Sequence, residues 1–552
     1  VSLDLRPLDR IEVPVGGREM KVRLLRWPTL SPDGKKLVFD ALGHLWAVDL
    51  ANGKAGAPRR LTKDTRREYS PQFSPDGRFI AYVTWTDQEL GQLWKMRADG
   101  GSPTKLTRVA GHYVNPAWSP KGDRIAFIAG SGAEIRGQQP ENDTYYEIRW
   151  ISSAGGDAKM VTAVSPGDSL RFHPTVAWSA DGERVFFAEF IPPEKPYTDG
   201  KTDLVSVRLD GTDKKRPLRF KQAENPVPSP DGNWVVFVRA DDVYVTALPA
   251  AGSDPVEIGF ASDPIPVYRL STEGGGYVDW ADGGKTVVWG MADTFYRQSI
   301  AKVREAIQKQ AEEKRKQEAA GSKADASAEK KEPEMPKPEA FPINLMAKRA
   351  IPQGTVVLKH ARVITMKGDE VMERADIVVS GNRITALGPS GQVTEPPGAQ
   401  MFDLKGMTVI PGLVDVHAHP HYSAMEIFPE KKWEYVANLA YGVTTMHDPS
   451  AHSLDVFAEA EMVETGEMIG PRIYSTGPGL FSTVYVPAAG EDIKDLDHAR
   501  RVMRRYSQYY DTKTLKMYIA GIRQQRQWIL VAARRQHIMP TTQGGLATPY
   551  DM

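Results

Sequence analysis

The sequence of 552 residues contains no cysteine. This excludes disulfide bonds, thiolate-bound zinc, iron–sulfur clusters and thiol nucleophiles. An excess of one charge is also lacking, because 70 Lys and Arg residues balance 70 Asp and Glu residues, so nothing favours nucleic-acid binding. No apolar run reaches the roughly 18 residues that a membrane-spanning helix needs. With 41% hydrophobic and 25% charged residues, the composition is that of a folded globular protein.

A short turn motif recurs through the first half of the chain. The motif Ser-Pro-Asp-Gly, or a variant of it, begins at six positions: Ser31, Ser74, Ser119, Ser179, Ser229 and, in degenerate form, Trp280. The serines are 43, 45, 60 and 50 residues apart, which fits one propeller blade per copy with loops of variable length. Pro presets φ, Asp bonds to its own backbone and Gly accepts a positive φ, so each copy predicts a tight turn. The flanking runs, rich in Val, Ile, Phe and Trp, are typical of strands.

The repeat predicts six small sheets arranged in a ring. One such sheet cannot bury both of its faces, whereas six sheets in a ring can; the alternative is a β-sandwich with repeated hairpins. The repeated turn closely resembles the TolB-like propeller family over residues 20–296. This resemblance implies a domain that binds a ligand or controls access to a neighbouring catalytic unit. No catalytic constellation is visible in this half of the sequence.

Residues 301–340 separate the repeats from the second half and carry 19 charged residues among forty. Their first twenty favour a helix through Ala, Glu, Lys and Gln. The remainder, with Gly, Ser and three prolines, lacks the apolar surface needed for a core. We interpret the segment as a solvated linker or an insertion, with a docking helix as the alternative.

The second half carries a metal-ligand pattern. After a series of short strands with polar turns, the apolar segment 407–416 ends in His417-Ala418-His419. Residues i and i+2 of a strand project to the same face, so both imidazoles are expected to meet at one point. Neutral imidazole is a good ligand for zinc and similar ions. A satisfied pair of histidines at a strand end is the structural alternative.

The sequence Pro-Gly-Leu-Val-Asp-Val-His-Ala-His at 411–419, preceded by a small β-domain and followed by Tyr-Gly-Val-Thr-Thr-Met-His-Asp at 441–448, strongly resembles the amidohydrolase superfamily. Its imidazolonepropionase-like and Xaa-Pro-dipeptidase-like branch is the nearest. The resemblance implies a multidomain fold, in which a six-bladed all-β propeller precedes a small β-sandwich domain and a partial (β/α)8, TIM-like barrel. We expect barrel strands at 407–416, 443–447, 471–476, 514–519 and 537–542. The expected domains are the propeller (1–300), the linker (301–345), the β-domain (346–406) and the barrel segment (407–552).

Lys516 lies within the fourth expected barrel strand. In the superfamily that this segment resembles, a lysine in strand four is often carbamylated and bridges two metal ions, and the resemblance carries this role to Lys516. Burial and nearby positive charge would depress its pKa, so that the neutral amine could take up CO₂. An ordinary barrel lysine is the alternative. Tyr518, two residues further on, should face the same mouth as Lys516 and is a second catalytic candidate.

Two features depart from the family pattern. The fifth strand commonly ends in a histidine ligand, whereas here Met539 to Gly545 contains none and His537 lies at the amino end. The sequence also stops at Met552, before strands six to eight, which in the family supply a further histidine and an aspartate. We therefore expect a fragment of a longer chain or one piece of a nicked chain, with the rest of the barrel supplied by the same longer chain or by a second one.

Other polar residues are weaker candidates. Asp448 could orient a ligand histidine or cap a turn, and we favour the turn. Arg472 is a candidate for binding a substrate carboxylate, whereas Arg523 and Arg526 fit a solvated helix surface better. His421, two residues beyond the pair, is expected in a loop, exposed or behind a ligand.

These patterns predict a metal-dependent hydrolase of C–N bonds in small amides or peptides. His417, His419 and Lys516 would hold one or two divalent ions, with zinc the first choice and manganese or iron the alternatives. The propeller would bind or admit the substrate. The alternative is a scaffold protein, with a ligand-binding propeller and a barrel that has lost catalysis. No nucleic-acid partner and no membrane span are expected; a homo-oligomer is left open, and the family resemblance points to a periplasmic or secreted location.

Overall fold

The computed structural model describes residues 18–130, 145–164, 175–192, 200–221, 223–259, 264–319, 335–420, 427–480, 493–517 and 521–542. Its first part consists almost entirely of short strands. In chain order they are β1 (Glu19–Val22), β2 (Arg26–Leu30), β3 (Lys36–Ala41), β4 (His44–Ala51), β5 (Lys54–Ala55), β6 (Arg59–Arg60), β7 (Arg67–Phe73), β8 (Phe79–Trp85), β9 (Gln92–Arg97), β10 (Thr104–Lys105), β11 (His112–Trp118), β12 (Arg124–Gly130), β13 (Tyr146–Ser152) and β14 (Lys159–Val164). They continue with β15 (Val176–Trp178), β16 (Arg184–Ile191), β17 (Lys201–Arg208), β18 (Lys215–Lys221), β19 (Ala223–Pro228), β20 (Trp234–Arg239), β21 (Asp242–Ala247), β22 (Val256–Ile258), β23 (Val267–Arg269), β24 (Gly276–Ala281), β25 (Thr286–Met291), β26 (Thr294–Ser299) and β27 (Glu339–Pro342).

Strands β2 to β27 form successive sheets of four or five strands. The first strands of these sheets are β2, β7, β11, β15, β19 and β24. Each of these first strands contacts the first strand of the next sheet, and β24 contacts β2. The sheets therefore close into a ring, with these six strands innermost. Such closure lets each sheet bury both faces against its neighbours.

The recurring turn is built by the same hydrogen bonds in several sheets. The Ser31 hydroxyl donates to Asp33 Oδ1 over 2.6 Å, and the Gly34 amide donates to the Ser31 carbonyl over 2.8 Å with Gly34 at φ 71°. The hydrogen bond from Ser31 holds the pKa of Asp33 below its usual value. In the third copy, where Lys121 replaces the aspartate, the Ser119 hydroxyl donates instead to Asp123 over 2.8 Å.

A tryptophan just before the turn links neighbouring sheets. Trp118 Nε1 donates to the carbonyl of Gln72 over 3.0 Å, and Trp178 Nε1 donates to that of Ala117 over 2.9 Å. Trp280 repeats this bond further round the ring. Each indole thus satisfies its N–H on the adjacent innermost strand while its ring fills the space between two sheets.

The charged segment interrupts the last sheet of the ring. Helix α1 (Ile300–Ala319) follows β26 directly, in agreement with the helical preference of these residues, and buries Ile300 and Val303 against the ring. β27 then pairs antiparallel with β26 and completes the sheet. The helix and the residues after it therefore form an insertion between two strands of one sheet.

A second β region follows. Its strands are β28 (Leu345–Lys348), β29 (Thr355–Ile364), β30 (Val371–Ser380), β31 (Arg383–Pro389), β32 (Gln400–Asp403) and β33 (Thr408–Val409). β28 pairs with β1, and the other five form one sheet around β29. Among the described residues this region has the five-stranded sheet and the two-stranded pair β1–β28, and the sandwich stays a prediction.

The last part alternates parallel strands and helices. Its elements are β34 (Leu413–Asp415), α2 (Trp433–Ala440), β35 (Val443–Asp448), α3 (Ser453–Thr465), β36 (Arg472–Ser475), α4 (Leu496–Arg504), a π-helical turn (Arg505–Tyr509), β37 (Thr514–Met517), α5 (Arg523–Arg535) and β38 (Met539–Thr542). β34, β35 and β36 form one parallel sheet, and β37 and β38 form another. A bridge between Leu480 and Met517 connects the two sheets.

The first expected barrel strand needs correction. Residues 408–409 belong to the preceding β-sheet, and only Leu413–Asp415 joins the parallel sheet. Although this strand is apolar, Leu413 and Val414 are 50% and 58% exposed. The reason is that β34 is an edge strand, with a hydrogen-bonded neighbour among the described residues on one side only.

Helix α3 joins this last part to the ring. Its residues Val456, Ala458 and Met462 belong to the same buried apolar cluster as Tyr69 of strand β7 and Phe428. No described helix combines the length and the apolar composition needed to cross a membrane.

Candidate metal centre

The two histidines lie directly after strand β34. The Asp415 carboxylate accepts the His417 amide over 3.0 Å, and the Ala418 amide donates to the His447 carbonyl of β35 over 3.0 Å. These bonds fix the backbone on both sides of Ala418, which is buried. The rings of His417 and His419 then stand 5.0 Å apart, centroid to centroid, at 73°. The structure therefore brings together the two imidazoles that the spacing predicts.

Asp448, at the end of β35, orients one of these rings. Its Oδ1 lies 3.0 Å from His419 Nδ1, and the residue is 1% exposed. With Nδ1 bonded to the carboxylate, Nε2 of His419 remains as the available ligand atom. The same oxygen accepts the Ser450 amide over 2.8 Å. Asp448 thus caps the turn, as we favoured from the sequence, and also contacts the histidine.

Lys516 comes from the other parallel sheet and is 6% exposed. Burial lowers the pKa of its ammonium, and the negative charge of Asp448 opposes this shift. Thr514, two residues earlier in β37 and therefore on the same face of the strand as Lys516, contacts His447 of β35. A depressed pKa makes the neutral amine more accessible, as carbamylation requires; carbamylation itself stays a prediction.

His447 is a residue that the sequence reasoning did not single out. Its Nε2 lies 3.0 Å from the Thr514 hydroxyl, which bridges the two parallel sheets. Burial lowers the pKa of His447, and the charge of His417 adds to this effect. A hydrogen bond with the Val416 backbone and the charge of Asp448 oppose this lowering of the His447 pKa. The sequence signal that could have found His447 is the alternation of side chains along β35. His447 and Thr445 lie on the same face of this strand, opposite the buried Met446.

The imidazoles of His417 and His419 could supply two of the four ligands of a zinc site. Two imidazoles, one of them held by a buried carboxylate, are the ligand type and the supporting contact that zinc sites use. Within the described ranges, no three His, Cys, Asp or Glu side chains lie close enough to hold an ion together. Lys516 would have to supply the next donor, and as an ammonium it cannot.

Other sequence candidates lie apart from this cluster. Arg472 stands at the amino end of β36, half exposed, and its Nε donates to Glu464 Oε1 over 3.0 Å. The structure therefore places Arg472 at the opposite end of its strand from the cluster. Arg523 and Arg526 lie in the first turn of α5. Three further candidates complete the set: Tyr518 and His421, which fall outside the described residues, and His537, which is exposed before β38.

Comparisons with known proteins find similar sequences for both halves of the chain. Residues 24–166 match the TolB β-propeller domain. An imidazolonepropionase from Rubrobacter xylanophilus is 46% identical over 54 residues, which are 9% of this chain and 13% of that protein. An adenine deaminase from Chelativorans sp. is 28% identical over 142 residues, which are 25% of this chain and 22% of that protein. The solved structure of a putative prolidase from Bifidobacterium longum has a TM-score of 0.29 and 20% identity, and the match covers 34% of this chain and 49% of that one.

The chain spans less than a quarter of the length of each of these two relatives. Its N-terminal part carries a TolB-like propeller domain, and its relatives are members of the amidohydrolase superfamily. Both recognitions made from the sequence are confirmed. The relatives are hydrolases and deaminases, a class whose members generally bind a divalent metal.

Proposed function

We propose that this chain provides part of a metal-dependent hydrolase that cleaves C–N bonds in small amides or peptides. The observation that carries the proposal is the convergence of His417 and His419, with Asp448 on the second ring and Lys516 nearby. When bound, a divalent ion supplies polarisation of the scissile carbonyl and activation of a water molecule. The names of the relatives are consistent with this class of reaction.

Each residue of the cluster has a distinct task. His417 and His419 would hold the ion, with zinc our first choice over manganese or iron. Asp448 accepts the Nδ1 proton of His419 and so fixes the tautomer and the direction of that ring. Lys516, once carbamylated, would add an anionic oxygen donor. Arg472 is not part of the proposed site because it pairs with Glu464.

The organisation that we propose has a six-bladed propeller over 1–300, because six innermost strands contact one another in a closed ring; β27 (Glu339–Pro342), beyond that range, completes the sixth sheet. An inserted segment (301–345), a small β-domain (346–406) and a barrel segment (407–552) follow. The propeller would bind the substrate or control its access. A periplasmic or secreted location remains part of the proposal and rests on the likeness to TolB-like propellers.

The test is metal content combined with amide hydrolysis in the purified full-length protein. The wild type should hold zinc, manganese or iron and should hydrolyse members of a panel of uncharged dipeptide amides and deaminase substrates. His417→Ala and His419→Ala should abolish both properties, whereas His537→Ala, an exposed histidine elsewhere, should change neither. Asp448→Asn should weaken metal binding by about 10–100-fold, because it alters the partner of His419 Nδ1.

The scaffold alternative has one observation in its favour: the described residues lack a third close His, Cys, Asp or Glu. It predicts less than about 0.1 equivalent of metal per chain and no gain in hydrolysis when metal is added. That result would overturn the hydrolase proposal.

A further inference from the structure

A cavity of about 420 Å³ lies where the second and third sheets of the ring meet. This volume is typical of small-molecule sites, which span roughly 300–1,000 Å³, whereas a cavity between the ring and the last part of the chain holds only about 50 Å³. The segment 107–111, which links the two sheets, forms one wall of the larger cavity. Strands β11, β12 and β13 and the turn 156–158 form the rest of its wall, so it is distinct from the candidate metal centre.

Backbone hydrogen bonds hold the segment 107–111 in place. Gly91 and Gly111 exchange two of them, over 2.9 Å and 3.0 Å. A Cβ atom at Gly91 would lie 2.3 Å from the Gly111 carbonyl oxygen, so this close approach requires glycine. The Tyr113 hydroxyl of β11 donates to the Val109 carbonyl over 2.9 Å. These contacts fix the wall without a ligand, as is usual for small-molecule sites.

Glu147 and Arg149 of β13 bring opposite charges into the wall. Residues i and i+2 of a strand share a face, and Arg149 Nε donates to Glu147 Oε2 over 2.5 Å. Nη1 and Nη2 of Arg149 and Oε1 of Glu147 make no hydrogen bond with any of the described residues. Both side chains are partly shielded from solvent, at 30% and 19% exposure. The pair therefore offers free donors beside a free acceptor, and both residues line the same cavity.

The other oppositely charged groups of the wall are Arg108 and Asp157, which pair over 3.2 Å. Their side chains are 72% and 82% exposed, so this pair contributes little and does not block a ligand. These four residues give the wall two positive and two negative groups. A ligand with a single charge would meet a like charge here. A ligand with one charge of each sign would find a partner for both.

We propose that this cavity binds a free amino acid with an apolar side chain, in its zwitterionic form. The planar guanidinium of Arg149 donates to the carboxylate through Nη1 and Nη2, and Glu147 Oε1 accepts from the ammonium. One carbon separates the two charged groups of an amino acid, which suits two protein groups that touch each other; the charged ends of a peptide lie further apart. The side chain of the ligand lies against the apolar part of the wall, which consists of Val109, Ala110, Tyr113, Ala129 and Ala158.

The test is calorimetric titration of the full-length protein with leucine at neutral pH, in EDTA to remove bound metal. Two analogues separate the charges, because isocaproate lacks the ammonium and leucinamide lacks the carboxylate. We expect leucine to bind with a Kd below ~10 mM, and each analogue to bind at least about tenfold more weakly. Absence of leucine binding would overturn the proposal, and so would equal or tighter binding of either analogue.

Two substitutions of similar size assign the charges to their partners. Glu147→Gln should weaken leucine binding by at least about tenfold and remove the preference for leucine over isocaproate. A merely structural role of Glu147 would instead weaken both ligands alike and keep the preference, which contradicts the proposal. Arg149→Gln should weaken leucine and isocaproate together. Arg78→Gln is the matched control, because Arg78 Nε also donates to a carboxylate two residues earlier, Asp76, over 2.5 Å, but lies outside the cavity.

Two further variants locate the ligand. Ala158→Trp fills the cavity from the turn 156–158 and leaves both charged residues in place, so it should abolish leucine binding. His419→Ala removes a proposed metal ligand and should leave leucine binding unchanged, whether or not the protein proves to be a hydrolase. Retained binding in Ala158→Trp, or lost binding in His419→Ala or Arg78→Gln, would place leucine elsewhere and overturn the proposal.

Discussion

The strands of the ring and the edge strand β34 of the parallel sheet are buried to very different degrees. In β20 of the ring, Val235, Val236 and Phe237 are 0% exposed, whereas in β34 of the parallel sheet Leu413 and Val414 are 50% and 58% exposed. Every innermost strand of the ring has a neighbouring sheet on either side, because the ring closes. The parallel sheet has an open edge at β34 among the described residues. Closure therefore lets the strands of the ring bury one another, whereas the last part of the chain also packs against the ring.

The last part of the chain docks against the ring through helix α3 and through Phe428, which precedes α2. The Tyr69 hydroxyl donates to the Phe428 carbonyl over 3.0 Å, and the Arg26 guanidinium lies 4.1 Å from the centre of the Phe428 ring. On the other side of α3, Glu461 accepts the Arg23 amide over 2.6 Å. The candidate metal centre thus belongs to the open part of the molecule, which the closed part supports.

The largest effect is expected from a buried ion pair inside the open part. Lys432 Nζ lies 3.0 Å from both carboxylate oxygens of Glu459 on α3, and the two side chains are 6% and 0% exposed. Lys432→Met leaves the Glu459 charge buried without this partner. We expect a loss of about 3–5 kcal/mol in the unfolding free energy of the open part. Differential scanning calorimetry should show its transition moving down while that of the ring stays in place.

The double variant Lys432→Met/Glu459→Leu removes both charges and should recover most of the loss. Lys214→Met, which breaks a more exposed pair with Glu189 in the ring, should have a much smaller effect. Movement of both transitions by the same amount in Lys432→Met would show that the two parts unfold as one unit, which contradicts the comparison drawn above.

The ring could be predicted from the sequence because its determinants are local and repeated. A turn such as Ser74-Pro75-Asp76-Gly77 carries its own hydrogen bonds, and it recurs at spacings that match one sheet. The boundaries of the parallel strands were harder to place. Residues 407–416 appear as one apolar run, yet the structure divides them between two sheets. The apolar character of these residues does not indicate which of the two sheets each one joins.

The candidate site was predictable only in part. The spacing of His417 and His419 predicts that their rings meet, which they do, although both residues lie directly after β34 and not within it. The contact between Asp448 and His419, and the position of His447 beside Thr514, depend on how three strands align, which the sequence does not state. The cavity between the ring and the last part could not be predicted for the same reason, since its walls come from residues 224–291 and 452–510.

A pH dependence should distinguish the docking surface from the ring itself. Burial raises the pKa of Glu461 to about 8, against the amides of Arg23 and Leu24 that favour its charged form. The folded protein therefore keeps this proton at a pH where the unfolded chain has lost it. Stability from this group is fully present below the unfolded pKa near 4.5. It falls as the pH rises towards 8, by at most about 1.4 kcal/mol per pH unit.

Glu461→Gln mimics the protonated side chain and should flatten this dependence. The midpoint of docking or unfolding would be followed from pH 5 to pH 8.5 by intrinsic tryptophan fluorescence. Arg23 and Asp293 also act on Glu461, so the slope should be compared with the variant at one ionic strength. Equal slopes for wild type and variant would mean that the Glu461 carboxylate stays charged when it is buried.

The smallest effect is expected from a single turn of the ring. Asp76→Ala removes the acceptor of the Ser74 hydroxyl and of the Arg78 amide, which lie 2.6 Å and 3.0 Å away. We expect a loss of roughly 1 kcal/mol in the unfolding free energy of the ring, because one turn loses two solvent-accessible hydrogen bonds. Lys121→Ala, at the matching position of the third copy, should cost much less, since Ser119 bonds to Asp123 there. Urea denaturation of the two variants side by side measures the difference, and an equal loss in both would show that the aspartate does not stabilise the turn.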